Sequence, residues 1–397
     1  MGTRVALVLA DDVGREAVGP DLRALVRGLV LRGVDVEVVC AARAGAAFDV
    51  TGARVTALTV GVGVGAVTAL RKVLRESGVD VIHAYGLRAG LAASLARTGL
   101  PLVVDWPGPV PAAGAAGLAR RALARTVSAA ANLTLAASTD LVATAGRLGA
   151  REVVLAPVIA PELGPPERPA DEVREDLGVT GPMVLAVGRL HPSNRFDVLI
   201  AAAARWRYRQ PAPQVVLAGT GPAYRDLAKQ AVTSRASVIF VGERDDVADL
   251  LGAADIAVAT AERERPTFAL EAARAGVPLV AAASGGLTDL LGTASVLVPA
   301  GDVDALDDAV RRLLDDRPGR AVLAAAGRVQ AATWPSVDEA VGEIAAAYAR
   351  LAAAPSPPDE APEASEESPE ALEESPEASG ESAEASEEDA DTPGDGR

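Results

Sequence analysis

The sequence predicts an α/β protein made of two doubly wound, mostly parallel sheets that face a cleft. Three observations predict it. Short apolar runs alternate with helix-period segments over about the first 350 residues, the pattern of buried parallel strands and their crossover helices. One proline-rich stretch, PVIAPELGPPERPADE, breaks the alternation near Pro157 to Glu172 and reads as a linker. Glycine turns follow the strands of the second half, as they do where a sheet feeds its helices.

In the first half the expected strands are VALVLA (Val5 to Ala10), VDVEVVC (Val34 to Cys40), VDVIHAY (Val79 to Tyr85) and PLVVDW (Pro101 to Trp106). LRALVRGLVLRG, from Leu22, has helical period and a stop at Gly33. The second half offers MVLAVG (Met183 to Gly188), QVVLAG (Gln214 to Gly219), SVIFVG (Ser237 to Gly242), DIAVAT (Asp255 to Thr260) and PLVAA (Pro278 to Ala282). The expected organisation is a Rossmann-like domain over residues 1–165, a second over 166–334, a helix over 335–352, and a disordered acidic tail over 353–397. Sheets of this kind bind ligands at the carboxyl ends of their strands, so the cleft between them is the expected site.

Charge separates the tail from the body. Sixteen of the 54 acidic residues lie from Pro355 onward beside one basic residue, so the tail carries −15 of the net −16. With SPEA repeated at Ser368 and Ser375, it cannot bury enough apolar surface to offset its ordering entropy. A solvated extension and an interaction tail for a basic partner both stay open. The body is near neutral, which removes the electrostatic case for nucleic acid.

Cys40 is the only cysteine, which excludes an intrachain disulfide and fits a cytoplasmic setting. VALVLA runs straight into Asp11 and Asp12 without a cleavage site, so it reads as a strand and not as a secretion signal. The uncharged stretch from Val55 to Leu70 is interrupted by glycines and falls short of the ~20 apolar residues of a membrane span. His83 and His191 are the only histidines, too few with one cysteine for a strong zinc site, so no metal is expected.

Chemistry concentrates in the second half. VGRLHPSNRFDVLIAAAARW ends a strand at Gly188 and enters a helix near Arg195, which brings helix-start amides and Arg189 to the cleft. VVLAGTGPAYRDLAKQA repeats the design with the Gly219-Thr220-Gly221 turn and Pro222 at a helix start. ERERPTFALEAARAGVPLV is a third copy, with Thr267 as cap and Glu271 one turn inside. Three such turns in one domain suit a diphosphate.

These segments resemble the fourth glycosyltransferase family, retaining enzymes of GT-B architecture, over about the first 350 residues and most strongly from Val184 to Leu314. VGRL with FDVLIAAAA is similar to that family's diphosphate-binding turn and helix, and LEAARAGVPLVAAASGGLTDLL to the stretch with the ribose-binding glutamate. FVGERDDVADLLGAADIAVAT is similar to the segment that packs on the base, and TWPSVDEAVGEIAAAYARL to the helix that crosses back.

The resemblance implies a nucleotide-diphosphate sugar as substrate, without cofactor or metal, and retaining transfer without an enzyme nucleophile. Arg189 then contacts the diphosphate, beside Gly188, Asn194, Gly219 and Gly221. The amides of Phe268 and Ala269 face the phosphates, Glu271 takes the ribose, and Glu243 with Arg244 hold the base through backbone groups. Glu264 is the nearest candidate for the donor sugar, so Arg189, Arg195 and Glu264 are the catalytic candidates.

On the acceptor side the candidates are Asp12, Gly14, His83, Tyr85 and Trp106, although His83 also reads as a satisfied histidine at a strand edge. The acceptor is unknown: a small molecule, a glycan or a lipid. Arg120, Arg121 and Arg125 on one expected helix read either as a solvated face or as peripheral contact with the inner face of a membrane.

Four positions depart from the family's pattern. Asn194 and Arg195 stand where a lysine is usual, Glu264 and Glu271 are one residue closer than the usual glutamate pair, Pro107 follows Trp106 where a histidine is expected, and Val13-Gly14-Arg15 replaces a double-glycine loop. Two other readings therefore stand beside the transferase: a catalytically decayed GT-B protein that binds a nucleotide or partner, and a sugar-nucleotide epimerase of the same fold.

Overall fold

The structure is a computed structural model that describes residues 2–10, 20–45, 51–106, 114–159, 163–261, 267–283 and 285–354. The expected acidic tail lies outside them. The first sheet has seven parallel strands: β1 (Arg4–Leu9), β2 (Asp35–Cys40), β3 (Arg54–Ala57), β4 (Val81–Tyr85), β5 (Leu102–Trp106), β6 (Leu133–Ala136) and β7 (Val153–Leu155). They lie in the order β3-β2-β1-β4-β5-β6-β7.

The second sheet has six: β8 (Met183–Val187), β9 (Gln214–Ala218), β10 (Val238–Gly242), β11 (Ile256–Ala259), β12 (Leu279–Ala282) and β13 (Val296–Val298), ordered β10-β9-β8-β11-β12-β13. Strand order reverses beside β1 in one sheet and beside β8 in the other. That reversal opens a crevice at the carboxyl ends of β1 and β4, and of β8 and β11.

Alternation along each strand separates two cores. Val5, Leu7 and Leu9 of β1 turn to the helices Pro20–Leu31 and Val337–Ala353, while Ala6 and Val8 turn to the helices Val64–Glu76 and Leu87–Ala96. Both faces are fully covered. β1 is therefore apolar after Arg4, which is why it reads as a run in the sequence.

The helix Val337–Ala353 begins with a capping box: Ser336 Oγ accepts from the Glu339 amide, and the Glu339 carboxylate accepts from the Ser336 amide. It packs on the helix Pro20–Leu31, where Gly28 leaves room for Val341; a Cβ on Gly28 would come within 2.9 Å of Val341 Cγ2. Burial of Val341, Ile344 and Leu351 contributes about 1.5–3 kcal/mol each. Arg350 forks onto Glu152 at 2.7 and 3.0 Å, and Arg32 pairs with Asp338, so both ends are fixed to the first domain.

The linker is held down by a residue the sequence did not single out. Asp249, buried in the second domain, accepts from the amides of Glu167 at 2.6 Å and Arg168 at 3.3 Å. Gly252 lets Pro166 come close, since a Cβ there would stand 2.9 Å from Pro166 Cγ.

Candidate functional site

At the end of β8 the chain turns through Gly188, Arg189 and Leu190, makes a short 3-10 turn over Pro192–Asn194, and enters the helix Phe196–Trp206. Asn194 is buried and fixes that turn. Its Nδ2 donates to the Arg189 carbonyl at 2.8 Å, and its own carbonyl accepts from Thr260 Oγ1 at 2.6 Å. The amide that replaces the usual lysine is thus engaged in shaping the backbone on which Arg189 sits. Arg195 takes a left-handed conformation, φ +50°, and its guanidinium reaches Asp197 Oδ1 at 3.2 Å and Oδ2 at 3.4 Å.

The glycines of the second turn answer a packing demand. Gly219 (φ +141°) lies against the first turn so closely that a Cβ would fall 1.9 Å from the Gly188 carbonyl oxygen. Gly221 would place one 2.4 Å from the Leu190 carbonyl oxygen. Backbone hydrogen bonds stitch the loops together: the Leu190 amide donates to Thr220 O at 2.8 Å and the Ala223 amide to Leu190 O at 2.9 Å.

The third segment supplies the carboxylate. Glu264 lies outside the described residues, and Thr267, expected as the cap, is instead the first residue of the helix Thr267–Ala275, so the cap position precedes it and is also outside them. Phe268 and Ala269 in its first turn are buried. Glu271 is only 8% exposed and lines a cavity of about 360 Å³ with Leu163 and Pro166 of the linker, Ala248 and Leu251 of the helix Val247–Ala253, and Arg274. Burial pushes its carboxyl up to about 7, with Arg274 opposing the shift. A carboxyl poised near neutrality in a cavity whose other charged lining residue is Arg274 is a hydrogen-bond acceptor waiting for donors.

Nearby, Gly242 (φ +71°) ends β10 and Glu243 is exposed. Arg244 folds onto Asp246, with Nε donating to Oδ1 at 2.7 Å, so its side chain is engaged locally. The hydrogen bonds from Arg244 hold the Asp246 carboxyl below its ordinary range.

In the first domain two of the acceptor-side candidates are buried in the core. His83 is 2% exposed and faces the helix Val337–Ala353, where Nδ1 meets Tyr348 Oη at 2.6 Å. Strand alternation decides this, because Val81 and His83 point to the same face of β4, toward the crossing helix. Trp106 is 1% exposed and packs on Ala124 and Ala145, so it too is core. Tyr85 is half-buried and its hydroxyl donates to Asp21 at 3.5 Å. Asp12 and Gly14 lie outside the described residues. Arg120, Arg121 and Arg125 are all exposed on the helix Gly114–Ala130. Among the described residues no helix is long and apolar enough to cross a membrane.

Two family models match the chain: "Glycosyl transferases group 1" over residues 181–316 and "Glycosyl transferase 4-like domain" over residues 16–161. A GDP-mannose-dependent monoacylated alpha-(1-6)-phosphatidylinositol monomannoside mannosyltransferase of Corynebacterium glutamicum is 34% identical over 178 residues, 41% of this chain and 47% of that one. A D-inositol 3-phosphate glycosyltransferase of Salinispora tropica is 38% identical over 168 residues, 38% of this chain and 35% of that one. The matches thus span less than half the length of these relatives.

Among solved structures, sucrose-phosphate synthase from Thermosynechococcus elongatus superposes with a TM-score of 0.72 at 20% identity, covering 88% of this chain and 99% of that one. The Anabaena protein HepE in complex with UDP-glucose gives 0.70 at 20% identity, covering 87% and 99%.

Proposed function

Since the chain belongs to the group 1 glycosyl transferases and has the GT-B fold, we propose that it transfers a sugar from a nucleotide-diphosphate sugar to an acceptor hydroxyl with retention. The observation that carries this reading is Glu271, a buried carboxyl at the wall of a cavity and one turn inside the helix Thr267–Ala275. Ribose hydroxyls are the donors it lacks. The base then lies toward Gly242, Glu243 and the backbone of Arg244, at the head of the helix Val247–Ala253.

The diphosphate is placed at the first turn, with Arg189 as its main cation, and at the amides of Phe268 and Ala269, whose helix directs its positive end there. Arg195 assists from its Asp197 fork, and Glu264 meets the donor sugar. As the bond to the sugar breaks, charge grows on the leaving diphosphate, and fixed cations and amides stabilise that state more than the ground state. The acceptor hydroxyl enters on the face the diphosphate leaves.

The named relatives act on inositol-type acceptors, one of them with GDP-mannose. That supports a polyol or lipid-linked polyol as acceptor and leaves the base to experiment. A thermal-shift screen with UDP, GDP and ADP sugars tests the donor reading, because a ligand at 100 times its Kd adds about 2.7 kcal/mol of stability. No shift with any of them overturns it. Binding without transfer or hydrolysis leaves a nucleotide-binding protein and not an enzyme.

A further inference from the structure

Strand β10 closes one edge of the second sheet, and among the described residues no strand pairs with its outer side. The Ser237 carbonyl accepts from the Val215 amide at 2.9 Å, so Ser237 faces β9, and alternation turns the backbone groups of Val238 and Phe240 outward. A bulge between Phe240 and Gly242 ends the regular edge. Native edge strands usually carry a device against pairing with another chain, such as shortness, a charge or a proline. β7 and β13 are three residues long and β3 carries Arg54, whereas β10 is five residues, VIFVG, without a charge or a proline.

An apolar stripe runs beside this edge. Tyr224, Ala228 and Val232 follow one another at helical spacing on the helix Tyr224–Ser234, and Tyr224 is 49% and Val232 78% exposed. The Tyr224 ring meets Phe240 edge-on, with centroids 5.4 Å apart. Between helix and strand lies an open groove of about 330 Å³ lined by Ala228, Val232, Val238 and Phe240, with Arg235 also in its wall. The two ends of the strand carry opposite charge: Arg235 precedes β10 and Glu243 follows it, both exposed, and among the described residues neither has an ion-pair partner.

Ile239 lies midway between Arg235 and Glu243 in the chain. An antiparallel copy related by a two-fold axis at Ile239 sets each Arg235 opposite the partner's Glu243. It also sets Val238 opposite the partner's Phe240, where the outward groups of both can exchange backbone hydrogen bonds. The axis crosses the sheet, so both apolar stripes fall on one face and the two grooves meet along the seam. Parallel pairing in register would instead set like charges side by side. We propose that β10 is the edge by which this chain pairs, antiparallel and two-fold, with a second copy of itself, so that two six-stranded sheets become one.

Sedimentation velocity of the full chain over a wide range of concentration should show a reversible dimer. Val232→Glu, at an exposed position where the fold tolerates a charge, should dissociate it. Arg235→Glu should weaken association about tenfold, because symmetry replaces both attractive contacts by repulsive ones. Arg235→Glu combined with Glu243→Arg in one chain should restore it. Circular dichroism and melting temperature check that each variant is folded. Hydrogen exchange reads the strand itself: the amides of Val238 and Phe240 should exchange slowly in the dimer and fast in Val232→Glu, while that of Ile239, which faces β9, stays slow in both.

A chain that is monomeric at every concentration overturns the proposal and leaves the edge to a strand of another protein. A dimer indifferent to both Val232→Glu and Arg235→Glu is built elsewhere and overturns it equally. Dissociation by the single variants without rescue by the double variant overturns the antiparallel register.

Discussion

Asp289 of the second domain accepts two hydrogen bonds from Thr139 of the first, from the amide at 3.0 Å and from the hydroxyl at 2.8 Å. Thr139 opens the helix Thr139–Arg147, so the carboxylate also meets the positive end of that helix. Beside it Gly286 approaches the first domain so closely that a Cβ would lie 2.3 Å from the Ala137 carbonyl oxygen. The two domains are clasped here across the cleft.

Asp289→Ala should release that clasp at a cost of about 1 kcal/mol, the usual contribution of capping and hydrogen-bonding groups of this kind. Chemical denaturation measures the loss, and small-angle scattering of ligand-free protein should show a larger radius of gyration. If both are unchanged, the clasp does not hold the domains.

Gly219→Ala should be among the most damaging single changes in the second domain. Its methyl would stand 1.9 Å from the Gly188 carbonyl oxygen, and two backbone segments joined by hydrogen bonds cannot easily part. Overpacking alone costs about 1–3 kcal/mol, and the left-handed φ adds to it. A variant that keeps its melting temperature within a degree or two would show that the turns separate readily.

Tyr348→Phe should cost about 1–3 kcal/mol, because it leaves the His83 ring buried with neither nitrogen hydrogen-bonded among the described residues. Burial also lowers the imidazole to about 4, from about 6.5 when unfolded. The unfolded chain binds the extra proton between those values, so the stability from neutral His83 is present above pH 6.5 and lost as pH falls through 4. The loss amounts to about 3 kcal/mol. His83→Gln should flatten that acid limb in pH-dependent denaturation; an unchanged limb would assign it to other groups.

Much of this was legible beforehand. Strands buried on both faces read as runs, so β1, β2, β4, β5 and β8 to β12 were named from sequence. β3, β6, β7 and β13 were not: β3 and β7 are largely exposed and β7 and β13 have only three residues, so none of them makes a run, whereas β6 is buried and as long as β11 and β12 and had no such reason to be missed. The same periodicity could not say which way His83 and Trp106 face. His83 sits in the middle of β4 and Trp106 at the end of β5, and only the helix packed over each strand decides that they are core. Asp249, Asp289 and Tyr348 escaped notice because their partners lie between 81 and 265 residues away in the chain, and no local spacing marks such pairs.

Glu271 should make stability and donor binding depend on pH in opposite directions. Its carboxyl stands at about 7 against 4.5 when exposed, so the folded state keeps the proton and loses stability as pH rises from about 4.5 to 7, by about 3 kcal/mol. Glu271→Gln should lack that loss. Ribose hydroxyls favour the ionised form, so nucleotide affinity should rise over the same window and level off above 7 in the native chain, and stay flat and weaker in the variant. Calorimetry at several pH values decides it, and parallel profiles for the two proteins would remove Glu271 from the nucleoside site.

Arg189→Ala addresses the donor site at its centre. If the diphosphate lies against the first turn, the change removes a charge-assisted contact worth about 1.5–3 kcal/mol, a ten- to hundredfold loss of nucleoside diphosphate affinity. The backbone of the turn should survive, because Asn194 holds the Arg189 carbonyl and not its side chain. Nucleoside affinity is the control: without phosphates the ligand should bind native and variant protein alike through Glu271. If transfer is measurable, kcat should fall at least as far as affinity, since charge on the leaving diphosphate is greatest in the transition state. Equal loss of nucleoside and nucleoside diphosphate binding would mean that the turn has collapsed, and undiminished diphosphate binding would place the phosphates elsewhere.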